Sequence, residues 1–541
     1  MTPNRFAPHI PMNKNYRIIV FLMAGWLVAC IVLSWASSLD DSLIHLRYAN
    51  NLLLTHHITY DGIHPNYGVS SLLYVALLAL LRGTITSSPT LPRGVSSVAH
   101  LLLFCGMAVL LARSIPRQSS RVRQLGLLLL LILILPSAIR WLDDGMETGL
   151  GLCFTSLICW LTFRESRRTT TSAQSYLGLV ILGFFAVMLR AELAMLGAIA
   201  FAILTLKRSA ANPESKSLRT WFSAALSSSH LLVGSLIALG LVFLRMHVLL
   251  PDTAVAKSHG LGTIYGTLEP TAHAIVGGFS LGLGLLFLWL LTFIFLFRAR
   301  RISLPVLIAN IPLPLTLFLA GLRSQEIQGI RYLAWTLLFS VLWNILELAA
   351  AEPATPSIEQ DAPGRVLTYA LFAFLFILQT VEIPLVYPVL RDHAKLIATL
   401  PGQHLDVLQG KLGVAADIGF FGYFSKANIC DLSGLVNGRE FARLTPRQRE
   451  AACATQKPDF VYLDTGELGS FSEFMPVDNW QVCGGYEMTG LGTKDIHYLV
   501  VPPSTAEQIC RDTLSPPPYP ASRLLERARS GIDRSNPLFF R

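Results

Sequence analysis

The chain has 541 residues, of which 52% are hydrophobic and only 14% are charged. Soluble domains carry about 25% charged residues, so this composition, with apolar runs such as the one at 125–135, excludes a soluble enzyme, a disordered scaffold and a small secreted disulfide domain. The net charge is +9, and the basic excess lies in short loops between apolar runs. Because basic loop residues fix membrane orientation, we predict a multi-pass protein that contacts membrane lipids and not nucleic acid.

The first apolar run, 18–33, follows Lys14 and Arg17 and is long enough with its flanks to span a bilayer. An uncleaved helix and a cleaved signal segment both place the residues after 38 on the outer face. The next run, 69–81, ends at Arg82 and is short for a span, so we predict an interfacial or re-entrant helix. If this helix does not cross the membrane, every later loop that is dense in Lys and Arg is cytoplasmic.

The apolar runs together predict an all-α membrane domain of about eleven transmembrane helices, with the N-terminus inside and the C-terminus outside. Their approximate bounds are 17–38, 95–112, 124–139, 148–163, 174–190, 191–206, 221–243, 272–297, 302–320, 332–350 and 366–388.

From about residue 390 the chain loses long apolar runs and gains Asp, Glu, Lys, Pro and Gly. Short β-like runs at 411–416, 458–464 and 497–502 alternate with helix-like ones. We therefore predict a transmembrane domain at 1–389 and a soluble outer α/β domain at 390–541, whose tail is disordered or lies on the membrane surface. An oxidising compartment allows up to two disulfides there, in any of three pairings, among Cys430, Cys453, Cys483 and Cys510.

Asp40 and Asp41, directly after the first span, are the sharpest polar feature of the predicted outer loops. Adjacent carboxylates provide a general base, or hold a divalent cation beside a phosphate. The alternative is a solvated helix N-cap, where Asp is favoured. The nearby histidines lack a metal-ligand spacing; they are His45, His56, His57 and His64.

Arg190 and Glu192 interrupt the apolar stretch 176–206, which is long for one span and short for two. Either a tight hairpin brings both charges to the outer surface, or they form an ion pair within one long tilted helix. Both arrangements let Arg190 face a lipid phosphate. Lys257 and Arg331 also lie at predicted outer helix ends, where snorkelling and interfacial anchoring are the alternatives to a binding role.

Several of these segments occur in the order typical of one class of membrane enzyme. They are DDSLIHLRYANNL at 40–52, NYGVSSLLYVALLALL at 66–81, GMETGL at 145–150, RAE at 190–192, LPDTAVAK at 250–257, RY at 331–332, VAADIGFFGYFSKANICDLSGLVNG at 414–438 and KPDFVYLD at 457–464. Together they resemble the GT-C class of integral-membrane glycosyltransferases, and within it the actinobacterial terminal arabinofuranosyltransferases and their bacterial relatives. Asp252 stands where that family has Asn.

The resemblance implies an inverting transfer of a sugar, with arabinofuranose as a candidate, from a polyprenyl-phosphate donor to a glycan, lipid or protein acceptor. The reaction would take place on the outer face of the bacterial cytoplasmic membrane. Asp40 would be the general base and Asp41 its partner, with a divalent cation as an option. Arg190, Lys257 and Arg331 would bind the donor phosphate. The other pocket residues implied are His45, Arg47, Tyr67, Glu147, Glu192 and Asp252.

The main rival function is a transporter or flippase for a lipid-linked saccharide, which would also need many helices and an internal Arg–Glu pair. Such proteins are typically built from inverted repeats with broken helices near the midplane. The sequence shows no convincing internal repeat, and its large polar C-terminal region favours chemistry at a surface.

Overall fold

The computed structural model describes most of the chain. The described residues are 14–35, 37–116, 119–168, 172–210, 218–258, 265–322, 329–351, 362–399, 405–489, 494–513, 519–522 and 524–526. Most of the predicted C-terminal tail, including residues 527–541, lies outside them.

The apolar part is built from helices and the segments that connect them. In chain order the helices are α1 (Lys14–Leu33), α2 (Asp40–Thr55), α3 (Leu72–Thr84), α4 (Leu91–Ser114), α5 (Ser120–Ile132), α6 (Pro136–Leu142), α7 (Thr148–Glu165), α8 (Ala173–Leu189), α9 (Ala194–Ala210), α10 (Leu218–Ser228), α11 (His230–Met246), α12 (Asp252–Ala256), α13 (Tyr265–Gly277), α14 (Phe279–Arg298), α15 (Leu304–Ala309), α16 (Pro312–Leu322), α17 (Ala334–Ala351) and α18 (Ala362–Thr399). Short 3-10 turns at Ala191–Leu193 and Ile330–Tyr332 precede α9 and α17.

Six helical segments in the described chain are long and apolar enough to cross a membrane, or eight if each of two bent helix pairs is one span. The six are Tyr16–Leu33, Leu91–Ser114, Ala191–Ala210, Phe279–Arg298, Ala334–Ala351 and Tyr369–Thr399; the pairs, α5 with α6 and α10 with α11, are each bent by 61°. The chain is thus a multi-pass membrane protein. The count of eleven stays a prediction, because some predicted spans are short or divided, as 302–320 is before Pro312.

Glu382 of α18 joins the beginnings of two helices deep in the apolar part. Its fully buried carboxylate accepts hydrogen bonds from the backbone N–H of Ser137 in α6 at 3.3 Å and from the backbone N–H of Ser280 in α14. The Ser280 hydroxyl donates a further bond of 2.8 Å. A helix N-terminus carries unpaired N–H groups and partial positive charge, so a carboxylate there satisfies both helices at once.

Replacing Glu382 with Leu is expected to destabilise the helical part, because each buried donor left without an acceptor costs roughly 1–3 kcal/mol. Glu382→Gln keeps an acceptor oxygen and should have the smaller effect. The measurement is the thermal unfolding midpoint of purified protein in detergent, with Thr380→Val, at an exposed position of the same helix, as control. A Leu variant as stable as the unmodified chain would contradict this role.

Residues after 405 form a small α/β unit around one sheet. Its strands are β1 (Leu412–Ala415), β2 (Asn428–Asp431), β3 (Phe460–Leu463), β4 (Gln481–Thr489), β5 (Lys494–Val501) and β6 (Tyr519–Pro520), and its helices are α19 (Phe420–Ser425), α20 (Arg439–Ala442), α21 (Pro446–Thr455), α22 (Thr465–Phe471) and α23 (Pro503–Thr513). The strand order is β2-β1-β3-β5-β4-β6, with β1 parallel to β2 and β3 and the other pairs antiparallel. The chain leaves β1 on one side and returns on the other, the arrangement in which α/β sheets bind ligands beyond the carboxyl ends of their strands.

Two disulfides cross-link this unit. Cys430 in β2 bonds Cys453 in α21, and Cys483 in β4 bonds Cys510 in α23. The structure thereby selects one of the three pairings that the sequence leaves open. The cysteines of the helical part are free; they are Cys30, Cys105, Cys153 and Cys159. Helix α18 runs through the predicted domain boundary at 389 to Thr399.

Arg47 of α2 joins the α/β unit to the helical part, which differs from its predicted place in the substrate pocket. Its guanidinium donates hydrogen bonds to the carbonyls of Tyr60 at 2.8 Å, Gly422 at 2.5 Å and Ala427 at 2.7 Å. The Tyr60 hydroxyl in turn donates to the carbonyl of Ile418 at 2.6 Å. All of these groups are buried, so Arg47 fixes α19 and its flanking loops against α2.

Candidate active site

Asp40 and Asp41 form the first turn of α2, shortly after α1 ends at Leu33. The preceding Leu39 is extended, and its N–H donates to the carbonyl of Asp144 at 2.7 Å. The N-cap is Leu39, so the alternative of an Asp N-cap is wrong, although carboxylates in the first turn do stabilise a helix. The contacts of the two carboxylates differ from each other, however, and give each a separate environment.

The Asp40 carboxylate contacts the α/β unit. It accepts hydrogen bonds from the backbone N–H groups of Gly419, at 2.8 Å, and Phe420 at the start of α19. Burial and the negative charge of Asp417 raise the pKa of Asp40 well above its ordinary value, although the two N–H groups act in the opposite direction. A carboxylate whose pKa is raised toward neutral is a more effective proton acceptor.

The Asp41 carboxylate contacts the helical part instead. Its Oδ2 lies 2.7 Å from Nη2 of Arg331, in the turn before α17. Burial would raise the pKa of Asp41, but the positive charges of Arg331 and Lys257 hold that pKa below its ordinary value. The adjacent carboxyls thus differ in proton affinity, and such a difference typically separates a proton acceptor from a residue that stays ionised.

The ring of Tyr332 is where the three predicted phosphate ligands meet. The guanidinium carbon of Arg190 lies 5.1 Å from the ring centroid, that of Arg331 lies 5.4 Å away, and Nζ of Lys257 lies 5.8 Å away. Burial raises the pKa of Tyr332, but these three charges outweigh burial and lower it. Three cations around one ring provide charged donors for an anionic ligand.

His45, Glu147, Arg190 and Glu192, all predicted to line the site, form one polar network together with Ser70. The Ser70 hydroxyl donates to Oε1 of Glu147 at 2.9 Å, and Nε2 of His45 lies 3.2 Å from the Ser70 oxygen. Arg190 lies 3.4 Å from Glu147 and 2.6 Å from Glu192. Burial raises the pKa of Glu147, but the charges of Arg190 and His45 outweigh it and leave that pKa lowered. Glu147 and Glu192 therefore orient Arg190.

The helix is interrupted at Arg190, which excludes one of the two alternatives, a single long tilted helix. Helix α8 ends at Leu189, the backbone of Arg190 is extended, and the chain resumes in a 3-10 turn at Ala191. The Arg190–Glu192 ion pair nevertheless forms, across the break and not along a helix.

A cavity of about 330 Å³ lies beside the two carboxylates, between the helical part and the α/β unit. It is lined by Asp40, Asp41, Ile44, Ala256, Lys257, Ala416, Asp417, Ile418, Leu432, Ser433, Leu435, Pro446 and Arg449. Asp417 follows β1 and Ser433 follows β2, so the cavity lies at the carboxyl ends of these parallel strands, as the strand order predicts.

Tyr67 and Asp252 do not line the cavity. The Asp252 N–H donates to the Tyr67 carbonyl at 2.7 Å, the Tyr67 N–H lies 3.3 Å from Asp252 Oδ2, and Arg439 lies 3.9 Å from Asp252 Oδ1. Both predicted pocket residues therefore position α12, which leads to Lys257.

Four residues of the site escape the sequence interpretation. Ser70 and Tyr332 stand inside motifs that it quotes, and Asp417 directly follows a predicted strand. Asp144 lies in the loop between α6 and α7. Its pKa is raised to about 7, chiefly by burial, while the charge of Arg331 acts in the opposite direction. In the sequence these residues resemble ordinary loop residues, and only the fold gathers them.

No family model matches the chain, and no curated protein matches it. Among solved structures, the chain resembles ArnT from Cupriavidus metallidurans in the apo state, with a TM-score of 0.51 and 12% identity over 90% of this chain and 98% of that one. ArnT bound to undecaprenyl phosphate gives 0.49 and 11% over 88% and 97%. The Archaeoglobus fulgidus oligosaccharyltransferase complex with Zn and sulfate gives 0.41 and 11% over 88% and 72%.

The similarity to ArnT extends over nearly the full length of both chains. It shows that the chain shares the fold of ArnT, which agrees with the GT-C fold that the resemblance in the sequence implies. Closeness to the arabinofuranosyltransferases is a finer statement, and it remains a prediction.

Proposed function

We propose that the chain is an inverting glycosyltransferase that moves a sugar from a polyprenyl-phosphate donor to a glycan, lipid or protein acceptor. One observation carries the proposal. The acid pair, Asp40 and Asp41, lies beside one cavity and is joined to the three cations around Tyr332 by the Asp41–Arg331 contact of 2.7 Å. A phosphate and a proton acceptor are what such a transfer requires close together. The GT-C fold shared with ArnT agrees with this proposal.

In the proposed reaction Asp40 accepts the proton of the acceptor hydroxyl. The hydroxyl oxygen forms a bond to the anomeric carbon while the bond from that carbon to the phosphate oxygen breaks, which inverts the configuration. The bonding pair leaves with the phosphate, whose growing charge is stabilised by Arg190, Lys257 and Arg331. Asp41 stays ionised and holds Arg331 in place.

The acceptor would enter from the side of the α/β unit. The wall of the cavity opposite the acid pair carries Asp417, Ser433 and Arg449, which suit a hydroxyl-rich ligand. We place this side outside the bacterial cytoplasmic membrane, because that topology puts the basic loops inside. The two disulfides agree, since disulfides persist in oxidising compartments.

A divalent cation held between Asp40 and Asp41 fits these side chains poorly. Asp40 accepts two backbone N–H bonds, and Asp41 pairs with Arg331, so oxygens of both carboxylates already have protein partners. The proposed mechanism therefore has no step through a metal at the acid pair.

The direct test uses purified protein in nanodiscs with a panel of polyprenyl-phosphate pentoses and hexoses, and with short glycan acceptors. We expect one donor to be consumed, with release of polyprenyl phosphate and a product of inverted anomeric configuration. A protein that moves the intact donor across a vesicle membrane, without cleaving any donor in the panel, would instead be a transporter.

The pH dependence of transfer should report the raised pKa of Asp40. Only the ionised base is active, so kcat/KM should fall as the pH falls through that pKa, at a higher pH than for an ordinary carboxylate. Asp417→Asn removes a neighbouring negative charge and should move this acid limb to lower pH. An acid limb that does not move in Asp417→Asn would show that the titrating group is not Asp40.

Gly419→Ala should slow transfer although it changes no reacting group. A Cβ at Gly419 would overlap the backbone carbonyl and the carboxylate of Asp40, and a displacement of about 1 Å can cost about 10²-fold in rate. We expect at least a tenfold lower kcat with a nearly unchanged KM for the donor. Gly106→Ala is the control, because nothing lies within 4 Å of a Cβ there; equal kcat in both variants would contradict the role of Gly419.

A further inference from the structure

A second group of metal-ligating side chains lies in the α/β unit, beside the carboxyl ends of β1 and β3. Asp464 directly follows β3, and Glu467 lies three residues later in α22. Strand β5 pairs antiparallel with β3, with Tyr498 opposite Leu463, so the register brings His497 opposite Asp464. One potential ligand atom from each of Asp464, Glu467 and His497 lies within 4.8 Å of the others.

The imidazole of His497 is held in a manner typical of a metal ligand. Its side chain is only 5% exposed, and its Nε2 lies 3.2 Å from Oδ2 of Asp417. Its Nδ1 is buried and has no hydrogen-bond partner among the described residues. A metal-bound histidine usually directs its other nitrogen to a carboxylate, whereas a buried ring nitrogen without any partner is costly.

The rest of the group is also preorganised. Asp464 and Glu467 form a capping box at the start of α22 that uses one oxygen of each carboxylate and fixes both side chains. The His497 ring stacks on Tyr462 with a centroid distance of 5.4 Å, and Tyr462 stacks on Phe421 at 3.9 Å. Small torsional movements would bring the three ligand atoms to about 2.0–2.2 Å from one cation.

We propose that Asp464, Glu467 and His497 bind a divalent first-row transition metal such as Zn²⁺ or Mn²⁺, with Asp417 orienting the imidazole. An imidazole ligand favours these ions over Ca²⁺ and Mg²⁺, which take oxygen ligands. Three protein ligands leave a coordination position for water.

This site is adjacent to the cavity through Asp417, which lines the cavity with Asp40. A bound metal would fix His497, and through it the loop after β1, whose Gly419 N–H binds Asp40. The proposal concerns binding alone and does not depend on the proposed transfer reaction.

The experiment uses the full chain, purified on a tag without histidine, stripped with EDTA and titrated calorimetrically with Zn²⁺ and, separately, Mn²⁺. We expect one ion per chain and a thermal midpoint that rises with metal. His497→Gln should lose the ion and the rise in midpoint. Glu467→Gln, which keeps the capping box because Gln also serves there, should weaken binding at least tenfold. Asp417→Asn should weaken it by about 10- to 100-fold.

The matched control is His64→Gln. His64 also lies 2.6 Å from a carboxylate, that of Asp61, but His64 is exposed, and among the described residues no third ligand joins the pair. This variant should bind one ion like the unmodified chain. The proposal would be overturned by a chain that binds neither ion, or by His497→Gln and Glu467→Gln variants that both bind one ion with unchanged affinity. If His497→Gln does not fold, the Glu467→Gln titration alone decides.

Discussion

Asp40→Asn is expected to abolish sugar transfer while the chain still folds and inserts. The amide cannot accept the proton of the acceptor hydroxyl, and a general base contributes about 10²–10⁴-fold to a rate. We therefore expect kcat to fall by at least about 10²-fold, with donor binding nearly intact, because the cations around Tyr332 are unchanged. The measurements are steady-state transfer by purified protein and direct donor binding.

Two variants make this test specific. Asp41→Asn keeps the proton acceptor but removes the charge that pairs with Arg331, so KM for the donor should rise more than kcat falls. Asp406→Asn changes an exposed carboxylate and should leave transfer unchanged. Full activity of Asp40→Asn would remove Asp40 from the mechanism, and loss in Asp41→Asn alone would transfer the role of the base to Asp41.

Arg331→Ala should have the second large effect. It removes one of the three cations around Tyr332 and the contact partner of Asp41. Loss of a single preorganised donor to a developing negative charge costs about 10²–10³-fold in kcat, and we expect a loss of this size. Arg331→Lys keeps the charge without the planar, two-pronged donor geometry, so its activity should be intermediate.

The dependence of transfer on donor concentration distinguishes a contact between Arg331 and the phosphate from a merely structural role of Arg331. Transfer is measured over a range of donor concentrations, and the thermal unfolding midpoint is measured for the same samples. Arg391→Ala serves as control, because the Arg391 side chain is 54% exposed and pairs with its neighbour Asp392, away from the site. Unchanged transfer by Arg331→Ala at every donor concentration would exclude a contact between Arg331 and the phosphate.

The members of the site could be found from the sequence because ionisable residues at helix ends are few in so apolar a chain. Asp41, Arg190, Lys257 and Arg331 are each expensive to bury alone, and the structure brings these four together. Arg47 misleads, since its position in the sequence resembles theirs, while its donors are used by three backbone carbonyls. Side-chain identity cannot show such contacts.

The helix count was harder to predict than the site, because apolar runs do not show where a helix breaks. Hydropathy continues across 124–139, but the chain bends by 61° between α5 and α6 before Pro136. Glu382, which satisfies two helix beginnings, lies far along the sequence from both. The β-like runs at 411–416, 458–464 and 497–502 correspond to β1, β3 and β5, because short strands bounded by polar residues carry a local signal.

The hydrogen bonds from Gly419 and Phe420 to Asp40 join residues about 380 positions apart. Synthesis therefore completes the helical part, which ends at Thr399, before it makes the backbone groups that hold Asp40. On the proposed function, a chain truncated before Gly419 lacks these groups and should be inert toward the lipid donor.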